Sequence, residues 1–190
     1  MDELMALFAT QPTTTIARAL LGMYLEHETP VGTVGGYIVD CEAYLGPDDL
    51  AAHSVGMRNT PRVRAMYQEP GTIYLYAMHT HRIVNFITQP KGIPQGIMIR
   101  GLEPVDGIAL MEQQRQKTGP DVATAPGNWY RHCRSPLSFM ENRFLQARCI
   151  WFLSADVPQK KFWHCLGSVS QIKGNGPRCR FVLRWLAILI

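Results

Sequence analysis

Four short runs rich in apolar residues, bounded by glycine or proline turns, dominate the first 107 residues and limit how the chain can fold. The run Gly35 to Glu42 carries β-branched residues with partial alternation, as a half-buried strand does. Thr72 to Tyr76, Ile83 to Thr88 and Gly96 to Arg100 have the same character. Helical signals are sparser. Thr13 to Thr15 offer capping hydroxyls ahead of Ile16, Ala17, Ala19, Leu20 and Leu21. Thr60-Pro61 opens a second helix through Met66, which Pro70-Gly71 ends. Glu103 to Gly107 opens a third, carrying Ile108, Leu110, Met111 and Gln114. Strands and helices mix without the strict alternation of βαβ units. The expected fold is therefore α+β: a single domain around a mostly antiparallel, curved β-sheet with flanking helices.

The chain changes character at Gly127. Residues 1–127 hold nine Lys/Arg and thirteen Asp/Glu, whereas residues 128–190 hold ten and two. The net charge of +4 thus comes wholly from the last third, and says little about a basic face built for nucleic acid. Trp129, Trp151, Trp163 and Trp185 all follow the break, as do Cys133, Cys149, Cys165 and Cys179. The cysteine spacing lacks the close pairs of a metal site. The start of the chain is acidic and lacks a signal-peptide pattern, and no apolar run is long enough to span a membrane. A cytoplasmic protein is expected, nucleoid-associated if bacterial.

Several residues could carry chemistry. Glu42 and Tyr44 fall on one face of a strand end, where a carboxylate beside a ring can act as a general base or can be an exposed edge pair. Asp48, Asp49 and His53 form a cluster with either a metal-binding or a solvated reading. Met78-His79-Thr80-His81 carries two histidines that fit a metal or a surface loop equally. Tyr74 and Tyr76 share a strand face, usually a core placement. Arg58, Arg62 and Arg64 could meet phosphates or simply solvate a helix.

Taken together, these segments are more specific than any one of them. The run Asp40 to Asp49, then Ala51-Ala52-His53-Ser54, then Arg58 to Arg62, then Met66, resembles the alkyladenine (3-methyladenine) DNA glycosylase family in order and spacing. Pro70 to Tyr76, Asn85, and Ile99 to Gly107 extend the likeness, which covers about residues 10–127.

The resemblance implies a monofunctional enzyme that binds duplex DNA through the minor groove, flips a damaged purine into a pocket, and hydrolyses its N-glycosidic bond with water. Glu42 matches the acid that activates this water, and Arg100 the arginine that helps hold it. Tyr44, His53 and Tyr76 match three rings that sandwich the base. Asn85 matches a pocket asparagine that screens out the guanine amino group. Met78 or His79 would be the wedge that fills the gap left by the flipped nucleotide. Arg58, Arg62 and Arg64 would contact the DNA backbone. The implied partner is double-stranded DNA containing damaged purines, engaged by a monomer with no metal or other cofactor.

The family continues beyond this point with a Gly-Pro-Gly-Lys-Leu run, a Gln-Ala-Leu helix and later Arg-Ile-Gly-Ile and Gly-Glu-Trp segments. Here Ala125-Pro126-Gly127 begins that pattern and the rest is missing. Asn128 to Cys133 can be coded AAT TGG TAC AGG CAT TGT. One A inserted after Gly127 turns this into Lys-Leu-Val-Gln-Ala-Leu. With allowed codons, the same shift converts Lys161 to Ser168 into Lys-Ile-Leu-Ala-Leu-Pro-Arg-Ile-Gly. It converts the stretch from Lys173 into Lys-Gly-Glu-Trp-Ala-Glu-Val-Pro-Leu-Arg-Phe. The expected organisation is a glycosylase-like core over residues 1–127 and an out-of-frame tail over 128–190. Such a tail should pack poorly and leave the core short of its usual partners, an expectation grounded in the marginal stability of domains.

Overall fold

The computed structural model describes residues 2–29, 31–78 and 81–124, with the backbone of 151–154 and 181–184. Helices α1 (Asp2–Thr10) and α2 (Thr13–Leu20) precede strands β1 (Tyr24–Thr29) and β2 (Gly32–Tyr44). Strands β3 (Ile73–Met78), β4 (His81–Ile87) and β5 (Gly96–Asp106) follow, then helix α3 (Ile108–Arg115). Two further strands are β6 (Trp151–Ser154) and β7 (Phe181–Arg184). The order β3-β4-β5-β2-β1-β6 makes one sheet, with β7 pairing β2 beside β1. Every described pairing is antiparallel, so the fold is α+β as expected.

Each face of the sheet carries its own core. On one side, Ile16, Ala17 and Leu20 of α2 pack against Cys41 and Ala43 of β2 and Ile97 and Ile99 of β5. Full burial of each large aliphatic side chain here is worth roughly 1.5–3 kcal/mol. On the other side, Val63, Met66, Tyr74, Tyr76, Ile83 and Met98 form a smaller cluster, with Tyr44 packed at its margin. This second cluster underlies the candidate site.

The β2–β5 ladder is irregular where it matters. Its register steps from Ile38↔Leu102 to Asp40↔Gly101 and then to Cys41↔Ile99, so Val39 and Arg100 have no directly opposed partner. The break reverses which side chains face the first core. Val34 and Ile38 enter it from even positions, and Cys41 and Ala43 from odd ones. Asp40, Glu42 and Tyr44 are thereby turned toward the opposite face. A bulge bends a strand and re-aims side chains in just this way. Close approach at the far end of the ladder demands glycine, because a Cβ on Gly36 would strike the carbonyl of Glu103.

Several local expectations are corrected. Residues 61–66 are a turn followed by a 3₁₀ turn at Arg64–Tyr67, not an α-helix. Five or six residues cannot offset the cost of helix nucleation, and i→i+3 bonds such as Met66 N–H to the Val63 carbonyl (2.9 Å) close the segment instead. Thr13 to Thr15 lie inside α2 and do not cap it; Pro12 holds the cap position without a side-chain bond. The Thr13 hydroxyl instead meets Thr88 (2.8 Å) and Gln95 (2.6 Å), tying α2 to the segment between β4 and β5. Glu103 to Asp106 extend β5 rather than opening a helix, and α3 starts only after Gly107, whose φ of +68° turns the chain. Strand β1 and helix α1 carry no expectation from sequence. The expected poor packing of residues 128–190 lies outside the described residues, apart from the backbone of β6 and β7.

Candidate active site

The centre of the site is a carboxylate with no exposed surface. Glu42 is 0% exposed, and its Oε2 accepts a 2.6 Å hydrogen bond from Arg100 Nη1. Arg100 Nε donates to Asp40 Oδ2 at 3.2 Å. One guanidinium therefore bridges two carboxylates on the strand next door. Burial acts to lower the Arg100 pKa, but the bond to Glu42 and the charges of Asp40 and Glu42 outweigh it and raise the value. Arg100 stays charged at any working pH. Such a fork pairs well with carboxylates and holds them in fixed orientation. Asp40 stands in the sequence only as part of a motif; its role as the second anchor of Arg100 comes from the cross-strand contact, which a single strand's pattern does not reveal.

Two residues beyond Glu42 on the same strand face, Tyr44 lines a small, partly open recess with Ala51, His53, Met66, Tyr74, Tyr76 and Asn85. Glu42 does not line the recess itself. Strand geometry sets it roughly 7 Å from Tyr44 along β2.

The aromatic walls are held from behind. His53 Nδ1 and the Tyr74 hydroxyl lie 2.9 Å apart, and the His53 ring meets the Tyr76 ring edge-on at 4.6 Å. Tyr74 and Tyr76 follow at 5.6 Å, tilted by 31°. His53 and Tyr76 thus touch each other and form one wall. Across β5, the Tyr44 and Tyr76 hydroxyls both point to Met98 Sδ, at 4.0 and 3.5 Å. Asn85 pairs in register with Tyr74 and gives its Nδ2 protons to the Tyr74 carbonyl at 3.2 Å and the Ile83 carbonyl at 3.5 Å. It is a fixed wall rather than a free amide. Tyr74 and Met98 are site residues that sequence reading missed, since an aromatic or methionine in a strand is most simply core.

The loop that carries His53 is set by Asp49. Its buried carboxylate accepts from the Leu45 N–H (3.1 Å) and the Ala51 N–H (2.9 Å), which fixes the turn after β2. Its oxygens are thus committed to the backbone. Burial, and then the positive charges of Arg62 and Arg58, push the His53 pKa below its usual value, so the ring is neutral near pH 7. Burial chiefly raises Tyr74 to about 12. The wall is therefore uncharged under ordinary conditions.

Among the other expected site residues, Arg58, Arg62 and Arg64 are exposed. Met78 is 44% exposed at the end of β3. His79 lies outside the described residues. Among the described residues, no helix is long and apolar enough to cross a membrane.

Fold and site together define a single-sheet α+β protein with an aromatic recess beside an internal carboxylate–guanidinium pair. The chain belongs to the methylpurine-DNA glycosylase family, whose statistical model matches residues 7–165. A protein of Enterococcus faecalis, provisionally named a 3-methyladenine DNA glycosylase, is 59% identical over 128 residues, covering 67% of this chain and 56% of its own length. A similarly named protein of Staphylococcus haemolyticus is 46% identical over 129 residues, 68% of this chain and 64% of its own. One from Staphylococcus aureus strain MRSA252 is 40% identical over 155 residues, 82% of this chain and 75% of its own. The chain thus spans less than two-thirds of the first two relatives. The motif likeness ends near Gly127, whereas the family match runs on to residue 165.

Replacing Arg100 by Leu would leave Glu42 buried without its counter-charge. The expected loss in stability is at the lower end of roughly 3–5 kcal/mol, because Arg100 is itself 27% exposed. The double variant with Glu42→Gln should recover part of it; equal denaturation midpoints for wild type and Arg100→Leu would contradict this account. For His53, a depressed folded pKa means that the unfolded chain binds protons more readily. Its contribution to stability should be full above the ordinary value of about 6.5 and should fall away as pH drops through that value. An NMR titration placing the His53 midpoint at or above 6.5 would refute it.

Proposed function

We propose that this chain derives from a DNA repair glycosylase that flips alkylated or deaminated purines out of duplex DNA and hydrolyses their N-glycosidic bond. The observation that carries the reading is the Glu42–Arg100 pair set on the same strand as the aromatic recess. In this reading Glu42 is the general base and Arg100 holds it in place. Glu42 takes a proton from water as the oxygen bonds to the sugar carbon. The base departs with the bonding electron pair, and alkylation at N3 or N7 makes it a better leaving group.

Tyr44, on one side, and the His53–Tyr76 wall, on the other, grip the extruded ring. Electron-rich faces attract a cationic purine by roughly 0.5–2 kcal/mol each, and a neutral His53 adds no repulsion. Asn85 closes one side against a larger exocyclic group. Arg58 and Arg64 reach for phosphates, and Met78, exposed at the end of β3, or His79 acts as the wedge. Flipping a damaged base costs a few kcal/mol, least where pairing is already weak. The partner is duplex DNA and the chain acts as a monomer in the cytoplasm.

A second reading is favoured by the composition break at Gly127. Here residues 128–190 are out-of-frame text, and the chain keeps the base pocket while lacking the segment that helps place the family's water. It would then bind damaged DNA without cleaving it.

Base release from a duplex containing hypoxanthine or 3-methyladenine separates the two. The first reading expects release that drops about 100-fold or more in Glu42→Gln, in line with general-base contributions. Binding with no Glu42-dependent release supports the second. The gene sequence decides the frame independently: the codons above should be present around Asn128, and their absence would end the frame-shift account.

A further inference from the structure

The exposed guanidinium of Arg62 sits at the rim of the recess, not clear of it. Its carbon lies 5.9 Å from the centroid of the Tyr76 ring, and its Nη2 donates to the Ala77 carbonyl at 3.4 Å. Tyr76 lines the recess, and Ala77 follows it on β3. The same charge is felt by two more lining residues, helping to lower the pKa of His53 and opposing the rise in Tyr74. Arg62 therefore approaches three of the groups that would hold a base.

We propose that Arg62 sets the charge preference of the pocket, acting as a resident cation that disfavours positively charged purines relative to neutral ones. This rests on the base-recognition reading above. Two physical effects point the same way. A cation near the ring already draws on the electron-rich character of Tyr76 that would attract a second cation. Two like charges within about 6 Å at a partly wet rim also repel, by an amount solvent reduces but does not remove. A neutral deaminated purine meets neither penalty. Arg62 thus differs in role from Arg58 and Arg64, although all three are exposed arginines of one segment.

The test is equilibrium binding, with cleavage disabled by Glu42→Gln. Three duplexes are compared: one with 7-methylguanine on a 2′-fluoro sugar, which keeps the cationic base attached, one with hypoxanthine, and one undamaged. Adding Arg62→Gln, which can still donate to the Ala77 carbonyl, should raise the ratio of 7-methylguanine to hypoxanthine affinity by about three- to tenfold. Arg62→Lys, which keeps the charge, should leave that ratio close to the parent. An unchanged ratio with uniformly weaker binding to all three duplexes would make Arg62 a plain phosphate contact and overturn the proposal. If the Glu42→Gln parent prefers neither damaged duplex over the undamaged one, base recognition itself fails and the charge filter falls with it.

Discussion

A carboxylate shut off from solvent needs a partner within the protein, and the arrangement of the sheet around Glu42 supplies one. Removing an ion from water costs several kcal/mol even after the protein relaxes. Arg100 offsets this with a short bond, and Asp40 fixes the other end of the same guanidinium. Asp40 and Glu42 share one face of β2, and Arg100 reaches both from β5. The skipped positions at Val39 and Arg100 let Val34 and Ile38 face the same core as Cys41 and Ala43. That core lies behind the strand that carries the acid.

The recess obeys a different logic, with no charged side chain in its lining and the Arg62 cation only at its rim. His53 is neutral, Tyr74 holds its proton, and the Asn85 amide is tied to backbone carbonyls. What remains is a set of π-faces with a polarisable sulfur, Met98, beneath two hydroxyls. The acid and the rings are separated by one strand repeat, so each can be tuned without upsetting the other. An apolar, polarisable wall favours a planar ring system, and a charged pair beside it can act on a bond just outside. Base recognition and water activation would then be adjoining tasks on β2.

Much of this was legible in sequence, for reasons that also explain the gaps. The strands of the core follow from β-branched runs between turns, and Glu42 and Tyr44 do share a face because no bulge falls between them. The grouping of Tyr44, His53, Tyr76 and Asn85 came from the family likeness, and the recess gathers all four. Alternation puts Asp40 on the face of Glu42 and Tyr44, but nothing in the sequence brings Arg100 of β5 beside it. Tyr74 was read as core because only its hydroxyl, bonded to His53, gives it a second task. The helix expected at Pro61 failed because capping signals say where a helix can start, not whether enough residues remain to repay nucleation.

The tail bears on the acid through the backbone before any side chain matters. Along β2, β5 takes one edge, β1 takes the first half of the other, and β7 pairs Asp40 to Ala43 on what is left. The strand that bears Glu42 thus has its second edge closed by residues 181–184. Ladder hydrogen bonds join peptide groups and are nearly blind to sequence, so a stretch read in the wrong frame can close an edge if it tolerates extension. Phe181-Val182-Leu183 does tolerate it. Placing a water against a sugar carbon is a different demand, because it needs a particular acceptor at a particular depth. A shifted frame would therefore separate two properties that usually travel together: a closed sheet around the acid, and the finished chemistry in front of it.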